Sequence, residues 1–269
     1  TLLESIDIDK YHSISTEYKI RYYELLSKVY DQLNETKKSF KYFLKINEYD
    51  SKNAINQNYN KDLWFNELGA NREYFQLKNI SKWRKINIPN ERSSPIFLIG
   101  FPRSGTTLLD TIFRSHPLIE VIEEKFMVNE MKSYFNHFSN EKIDLLNDIS
   151  DEQIKKIRDI YYEKIDLFFS KNTQKNKIII DKLPLNIIEA GFIYRIFPES
   201  KFIFCLRHPC DSVLSCFMNR FKMNNAMAIF TNISDTISFY NQVMSLWKQY
   251  TSELPIKFKA IKYENLVEN

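Results

Sequence analysis

An apolar run, a loop bounded by two glycines and the first turn of a helix follow one another at residues 95–109, and they constrain the fold more than any other segment. The run is Ile96 to Ile99, the loop is Gly100 to Gly105, and the helix begins at Thr106. A continuous apolar run predicts a parallel strand covered on both faces. Since the first amides of a helix lack intrahelical acceptors and lie at its positive end, the amides of Ser104, Gly105, Thr106 and Thr107 predict an anion site.

Further apolar runs alternate with helical patterns after this segment. They are Lys177 to Ile180, Phe202 to Leu206 and Ile256 to Ile261. A shorter apolar segment, Ile119 to Ile122, leads to the pair Glu123-Glu124 and is not interpreted as a strand. The alternation predicts an α/β fold with a three-layer, mostly parallel sheet of the P-loop nucleotide-binding type. Ligands of such sheets bind at the carboxyl ends of the strands. We therefore expect Arg103, Asp181-Lys182, Arg207 and Tyr263 at one edge.

The pattern of the first part of the chain predicts helices, and no candidate catalytic residues lie in it. Residues Lys19 to Asp50 have the apolar period of two amphipathic helices, with a turn at Asn34 to Thr36. Their Leu, small and aromatic positions resemble a tetratricopeptide repeat, although an ordinary helical hairpin stays open because the Gly and Ala signals are missing. One repeat cannot bury its own faces, so the hairpin is either the last unit of an array or a bracket on the next domain. We place this helical region and a connecting helix at 1–92 and the α/β domain at 93–269.

Composition narrows the classes of partner and compartment. The net charge of +4, from 38 basic and 34 acidic residues, is too small and too dispersed to indicate nucleic-acid binding. The three cysteines, Cys205, Cys210 and Cys216, are odd in number and lack zinc-site spacing, which predicts free thiols, no metal and a cytoplasmic location. The first residues resemble neither a signal peptide nor a membrane anchor. Since the chain has no initiator Met and stops at Asn269, we expect a piece of a longer protein that lacks the C-terminal part of its α/β domain.

The loop differs from a nucleotide-triphosphate loop at one decisive position. Thr106 stands where such loops carry a Lys that reaches the β- and γ-phosphates. Its absence argues against hydrolysis of ATP or GTP, and Arg103 offers another cation, whose planar fork suits phosphate or sulfate. Asp181, at the end of an apolar strand, keeps a kinase or NTPase open as an alternative.

Two motifs resemble the sulfotransferases that use 3′-phosphoadenosine 5′-phosphosulfate (PAPS), in particular the tyrosylprotein sulfotransferase-like branch with preceding tetratricopeptide repeats. Phe101-Pro-Arg-Ser-Gly-Thr-Thr107 is similar to the 5′-phosphosulfate loop of that family. Arg207, followed eight residues later by Ser215, is similar to its 3′-phosphate motif. The resemblance covers about Pro95 to Glu264 and implies a PAPS-binding fold without metal, with 3′,5′-ADP as the nucleotide product.

The resemblance also implies roles for individual residues. It makes Glu124 the base that takes the acceptor proton, with Glu123 as the structural member of the pair and the less favoured base. Lys182 and Arg103 would stabilise charge on the leaving phosphosulfate bridge, and Tyr263 would lie near the adenine nucleotide. His116, which follows a helix, is more consistent with capping than with the base.

Three departures from the family pattern limit what the resemblance implies. Asn219 stands where the family has a further basic residue after the 3′-phosphate Ser, with Arg220 one place later. Phe126 stands where the protein-tyrosine branch has an Arg that contacts acidic peptides. The chain also ends soon after Tyr263, before a loop that completes the cofactor pocket, so this piece alone is open to being inactive.

The sequence thus predicts sulfuryl transfer from PAPS to an acceptor hydroxyl of a peptide tyrosine, a carbohydrate or a small molecule. A phosphate-loop kinase or NTPase and a non-catalytic, repeat-containing interaction protein are the alternatives. A protein partner, or a second copy, is expected to use the helical region; no nucleic acid and no membrane segment are expected.

Overall fold

The computed structural model describes residues 6–89, 92–170 and 177–268. Contacts between Cα atoms divide the chain into two compact units. The first consists of Thr1–Asn66 with Val213–Phe239, and the second of Glu67–Ser212 with Tyr240–Asn269. The predicted boundary between residues 92 and 93 stays a prediction.

The first unit is built on two long helices, α1 (Thr16–Gln32) and α2 (Thr36–Asn56). The chain reverses between them at Asn34, which has a left-handed φ of 57°, a conformation that Asn tolerates better than most residues. The core of the hairpin consists of apolar side chains from α1, α2 and a short 3₁₀ helix at Ile8–Lys10: Ile8, Ile20, Tyr23, Leu26, Tyr30 and Ile46. Both predicted helices are present, and their assignment as a tetratricopeptide repeat stays a prediction.

Residues from the far end of the chain complete this first unit. The amide Nδ2 of Asn47 on α2 donates to the carbonyl of Phe217 at 2.8 Å. Arg220 donates to both carboxylate oxygens of Glu17 at 2.9 and 2.8 Å and also contacts Asp50, which is buried. The hairpin and residues 213–239 therefore share buried polar contacts as well as apolar packing.

The second unit contains a five-stranded sheet in which every pairing is parallel. The spatial order of its strands is β2-β3-β1-β4-β5. The strands are β1 (Ile96–Gly100), β2 (Ile119–Glu123), β3 (Ile178–Lys182), β4 (Lys201–Leu206) and β5 (Lys257–Lys262). The parallel α/β fold is thus confirmed, but the segment at Ile119 is a full edge strand, which the sequence analysis missed.

Helices cover both faces of this sheet. On one face, Leu109 of the helix after β1 packs against Leu98 and Ile180. On the other, the ring of Phe97 lies 5.8 Å from Tyr161 and that of Phe202 lies 6.1 Å from Trp247. Three layers result, as predicted. The remaining α-helices are α3 (Asp62–Tyr74), α4 (Leu77–Ile80), α5 (Thr106–Arg114), α6 (Met127–Ser139), α7 (Asp151–Phe168), α8 (Ala190–Ile196), α9 (Pro209–Met218), α10 (Ile233–Glu253) and α11 (Tyr263–Glu268).

Candidate active site

The loop between β1 and α5 adopts a left-handed backbone at two positions, Arg103 with φ of 66° and Gly105 with φ of 97°. Helix α5 then begins at Thr106. We expected the amide of Ser104 to be available to an anion. Instead it donates to the carbonyl of Phe101 at 3.1 Å, inside the loop. The amides of Gly105, Thr106 and Thr107 belong to the first turn of α5, where no intrahelical acceptor exists.

The loop passes close to β4, which fixes its path. A Cβ on Gly100 would lie 2.6 Å from the carbonyl oxygen of Cys205 and 2.7 Å from Oγ of Ser104, so only glycine fits at this position. The thiol of Cys205 donates to the carbonyl of Ser104 at 3.0 Å. Burial raises the pKa of Cys205 to about 11, which keeps the thiol protonated as a donor. Within the described part of the chain, the buried Oγ of Ser104 has no hydrogen-bond partner.

Arg207, at the end of β4, joins the loop to the end of β5. Its Nη1 donates to the carbonyl of Arg103 at 3.2 Å, and its guanidinium lies 4.6 Å from the centre of the Tyr263 ring. The same ring covers Gly105, where an added Cβ would overlap it. The carboxylate of Glu264 accepts from the amide of His208 at 2.8 Å. The structure thus brings together Arg103, Arg207 and Tyr263, as predicted from their strand ends, and it adds Gly105 under the Tyr263 ring.

A second group forms at the ends of β2 and β3. Glu123 and Lys182 are paired residues of adjacent parallel strands, so their side chains leave the same face of the sheet. Glu124 follows with a left-handed φ of 50°, and its amide donates to the carbonyl of Lys182 at 2.8 Å. The ammonium of Lys182 lies 3.0 Å from Glu123 Oε1 and 2.9 Å from Glu124 Oε1. Lys182 is fully buried, while both carboxylates are exposed.

The sequence analysis missed an extension of this second group onto α5. Arg114 lies 3.8 Å from Glu123, and its Nε donates to Asp110, which is almost fully buried. The pKa of Glu123 is lowered, chiefly by its hydrogen bond from Lys182. Arg114 and Asp110 are separated by one helical turn, a spacing that could have revealed the pair but not its link to β2.

We expected Asp181 beside the other site residues at the edge of the sheet, but the structure does not bring it to them. Successive side chains of a strand point to opposite faces, so Asp181 lies on the face opposite Lys182. There it is 1% exposed and accepts from the hydroxyl of Tyr161 at 3.1 Å. Burial raises its pKa to about 7. Its contacts are those of a buried carboxyl next to a tyrosine on α7.

Ser215 and Arg220 lie in residues assigned to the first unit. Ser215 is on α9 and half-buried, and its pairing with Arg207 on one phosphate stays a prediction. Arg220 is bound by Glu17 and Asp50. Its fork is therefore engaged in the packing of this unit and does not replace the basic residue that is missing at Asn219.

A sequence profile described as the sulfotransferase family matches residues 95–269, about two thirds of the chain. The chain belongs to the sulfotransferase family. The matched region includes the loop, the Glu124 and Lys182 group, Arg207, Ser215 and Tyr263, so both groups of side chains lie within the family domain.

Three relatives of this sulfotransferase-family chain differ in how much of it they cover. An uncharacterized protein of Aquifex aeolicus is 24% identical over 279 residues, covering all of the chain and 34% of that protein. A protein-tyrosine sulfotransferase of Drosophila melanogaster is 21% identical over 66% of the chain and 35% of its own length. Protein-tyrosine sulfotransferase 1 of Danio rerio is 26% identical over 67% of the chain and 50% of its own length. The chain therefore spans between a third and a half of these relatives.

A cavity of about 860 Å³ lies away from the site. It opens at the amino ends of the strands, beside Ile96, Lys177 and Lys201, and none of the predicted site residues line it. In the three described ranges, no helix combines the length and apolarity needed to cross a membrane.

Proposed function

We propose that this sulfotransferase-family chain catalyses transfer of a sulfuryl group from PAPS to an acceptor hydroxyl. The observation that carries the proposal is the contact of the buried Lys182 ammonium with Glu124, at 2.9 Å, at the same sheet edge as the phosphate loop. A carboxylate and a fixed cation at the carboxyl ends of neighbouring strands supply the two things that this transfer requires, a proton acceptor and a positive charge.

Two unsatisfied polar atoms of the second unit support binding of the donor nucleotide. Ser104 Oγ, in the loop, and Nε of Arg207 are buried without a hydrogen-bond partner among the described residues. The nearest carboxylate oxygen of Asp211 is 3.9 Å from that nitrogen. A buried polar group left unpaired costs about 1–3 kcal/mol, which an acceptor oxygen of a ligand would recover. Phosphate and sulfate oxygens are such acceptors, and the first turn of α5 favours anions.

In the proposed site, Ser104 to Thr107 and Arg103 would hold the phosphosulfate end, and Arg207 would hold the 3′-phosphate. When bound, PAPS would supply an activated sulfuryl group, and 3′,5′-ADP would be the leaving group that takes the electron pair of the O–S bond broken as the new O–S bond to the acceptor forms. Glu124 accepts the proton of the acceptor hydroxyl. Lys182 and Arg103 stabilise the negative charge that develops on the leaving oxygen, and Tyr263 packs near the nucleotide.

Calorimetry with 3′,5′-ADP tests the nucleotide part of the proposal. We expect the wild-type chain to bind it, and Arg207→Ala to bind at least about tenfold more weakly, because a charge-assisted contact to phosphate is worth about 1.5–3 kcal/mol. Lys248→Ala, on an exposed part of α10, is the matched loss of a positive charge. Equal binding by wild type and Arg207→Ala would reject the 3′-phosphate assignment, and tight binding of Mg-ATP without 3′,5′-ADP binding would favour the NTPase.

Transfer of radiolabelled sulfate from PAPS to a panel of peptide, glycan and phenolic acceptors tests the chemistry. Loss of a general base typically costs 10²–10⁴-fold in rate, so we expect Glu124→Gln to fall by about 100-fold or more while still binding 3′,5′-ADP. Binding without transfer to any acceptor would favour the non-catalytic interaction protein. The acceptor class, the cytoplasmic location and the partner of the helical region stay predictions.

A further inference from the structure

The carboxylate of Glu123 has no part in the proposed transfer, yet it contacts the fully buried ammonium of Lys182 at 3.0 Å. An ammonium removed from water requires a counter-charge, because an uncompensated buried charge is strongly unfavourable. In the described chain two carboxylates, Glu123 and Glu124, supply it. One of these two is the proposed base and must become neutral during the reaction.

We propose that Glu123 is a positioning residue that keeps Lys182 charged and in place while Glu124 takes the acceptor proton. The inference rests on the proposed function. When the proton moves from the acceptor oxygen to Glu124, that carboxyl loses its charge, and Glu123 remains as the anion paired with the ammonium. Lys182 then keeps its full positive charge at the step in which negative charge develops on the leaving oxygen.

The backbone gives the two carboxylates different degrees of constraint. Glu123 is the last residue of β2 and pairs with Lys182 in the sheet register. Glu124 lies beyond the strand, in a left-handed turn. The sheet therefore fixes the Glu123–Lys182 contact, whereas the contact with Glu124 depends on the turn. A fixed counter-ion beside a separate proton acceptor is the arrangement that the proposal needs.

The charges around Glu123 favour its ionised form. Lys182 of β3 donates to it, Arg114 of α5 lies 3.8 Å away, and Lys125 adds a weaker attraction from the following loop. These cations lower the pKa of Glu123, with the Lys182 hydrogen bond as the largest cause. Asp110 of α5 and Glu124 are the anions nearby; Asp110 is paired with Arg114. Glu123 is thus the carboxylate that stays charged.

Removal of the Glu123 charge should weaken the base. With glutamine at position 123, Lys182 would have Glu124 as its one carboxylate partner, which favours the ionised form of Glu124 and opposes its protonation. We expect Glu123→Gln to lower kcat by about tenfold, less than the loss of the base itself, with KM for donor and acceptor little changed. The acidic limb of the kcat–pH profile should move to lower pH.

The test compares four variants of the full chain: Glu123→Gln, Glu123→Asp, Glu124→Gln and the double Glu123→Gln/Glu124→Gln. Glu123→Asp retains the charge and should recover part of kcat, and the double variant should be no slower than Glu124→Gln, because both residues act on one proton transfer. Glu120→Gln is the matched control, since Glu120 lies on the same strand but pairs with Lys177; its kcat should equal that of wild type. Retained 3′,5′-ADP binding shows that each variant is folded.

A second readout does not depend on activity. In the ligand-free protein, ¹³C NMR of labelled Glu carboxyls follows the titration of Glu123, whose resonance is assigned by its loss in Glu123→Gln. Because the hydrogen bond from Lys182 lowers the pKa of Glu123, we expect Glu123 to titrate below the usual glutamate range in wild type and also in Glu124→Gln, in which the side chain at position 124 is neutral like the protonated base. An ordinary glutamate midpoint for Glu123 in Glu124→Gln, or an unchanged kcat in Glu123→Gln, would overturn the inference. Loss of transfer in Glu123→Gln with activity retained in Glu124→Gln would make Glu123 the base instead. A wild-type chain that binds 3′,5′-ADP but transfers nothing would reject the proposed function and, with it, this role.

Discussion

Gly105 connects backbone conformation to the nucleotide end of the site. Its φ of 97° is one that side chains with a Cβ rarely adopt, and an added Cβ would overlap the Tyr263 ring. We expect Gly105→Ala to destabilise the chain by about 1–2 kcal/mol from the left-handed backbone alone. It should also weaken 3′,5′-ADP binding about tenfold, because Tyr263 must move and Arg207 stacks on that ring.

Gly69→Ala is the control for this variant. Gly69 lies inside α3, and apart from its chain neighbours and the backbone of its own helix no described atom lies within 4 Å of an added Cβ. Alanine in a helix interior should therefore raise the free energy of unfolding by up to about 1 kcal/mol without changing nucleotide binding. Urea unfolding and calorimetry measure both quantities. Equal behaviour of the two variants would show that the loop does not require a left-handed residue at position 105.

Asp181 should make stability depend on pH in an unusual direction. Its pKa rises from 3.8 to about 7 on folding, because burial penalises the carboxylate. Between these values the folded chain binds more protons than the unfolded chain, so the contribution of this group to stability decreases as pH rises. The cost is absent below about pH 4 and complete above about pH 7. We expect Asp181→Asn to be more stable than wild type at pH 8, by up to about 4 kcal/mol, and the gain to shrink at pH 5. Urea unfolding at several pH values measures the free energy of unfolding of both proteins. If the two plots of this free energy against pH run parallel, the prediction is wrong.

Individual side chains show what the sequence can predict about the site. Arg103, Arg207 and Tyr263 were predicted together because each follows a strand of a parallel sheet, and the structure brings them together. Asp181 was placed with them because it also ends a strand, although the alternation of a strand assigns it to the opposite face from Lys182. The role of Glu123 depends on pairing between β2 and β3, a contact between distant segments that no local pattern contains.

At the scale of elements, β2 illustrates why an edge strand escapes sequence reasoning. Ile119–Glu123 is five residues long and includes polar Glu120, so its apolar pattern is too short to distinguish strand from loop. Its pairing with β3 in the sheet defines it as a strand. β1 and β4 are central, covered by helices on both faces, and their apolar runs are correspondingly clear.

Helix α1 and the residues after α9 are joined by Arg220. The guanidinium binds Glu17 at 2.8 Å and Asp50 at 3.3 Å, and Asp50 has a side chain that is 7% exposed. Burial raises the pKa of Asp50 and Arg220 opposes this rise. We expect Arg220→Met to lower the free energy of unfolding by about 2 kcal/mol, because it leaves a buried carboxylate without its cation. Asp50→Asn in the same chain should recover part of the loss.

Arg21→Met provides the comparison with a surface pair. Arg21 contacts the same Glu17 at 3.3 Å, but its side chain is 67% exposed. Exposed pairs contribute about 0–1 kcal/mol, so urea unfolding should detect little change. If Arg21→Met and Arg220→Met lose the same amount, then burial of Asp50 does not decide the energetics of this unit.

At the scale of the whole molecule, the division of the chain into two units could not be predicted from the apolar periodicity of its helices. Periods identify the hairpin and the later helices separately, but they do not say which elements pack together. The hydrogen bond from Asn47 to Phe217 joins residues 170 positions apart, and such contacts assign Val213–Phe239 to the same compact unit as the hairpin. That segment lies inside the sulfotransferase-family region 95–269.

Residues 67–269, which keep the whole of the second unit, should therefore fold incompletely without the hairpin. The segment Val213–Phe239 would lose the Asn47 hydrogen bond, the Phe40 ring that lies 5.5 Å from Phe217, and both carboxylate partners of Arg220. A loss of several kcal/mol should lower Tm by roughly 10 °C or more. Circular dichroism melting of the full chain, of residues 67–269, and of that piece with residues 1–66 added as a separate peptide measures the effect. The added peptide should restore Tm in part, whereas an unchanged Tm of the shortened chain would show that Val213–Phe239 does not depend on the hairpin.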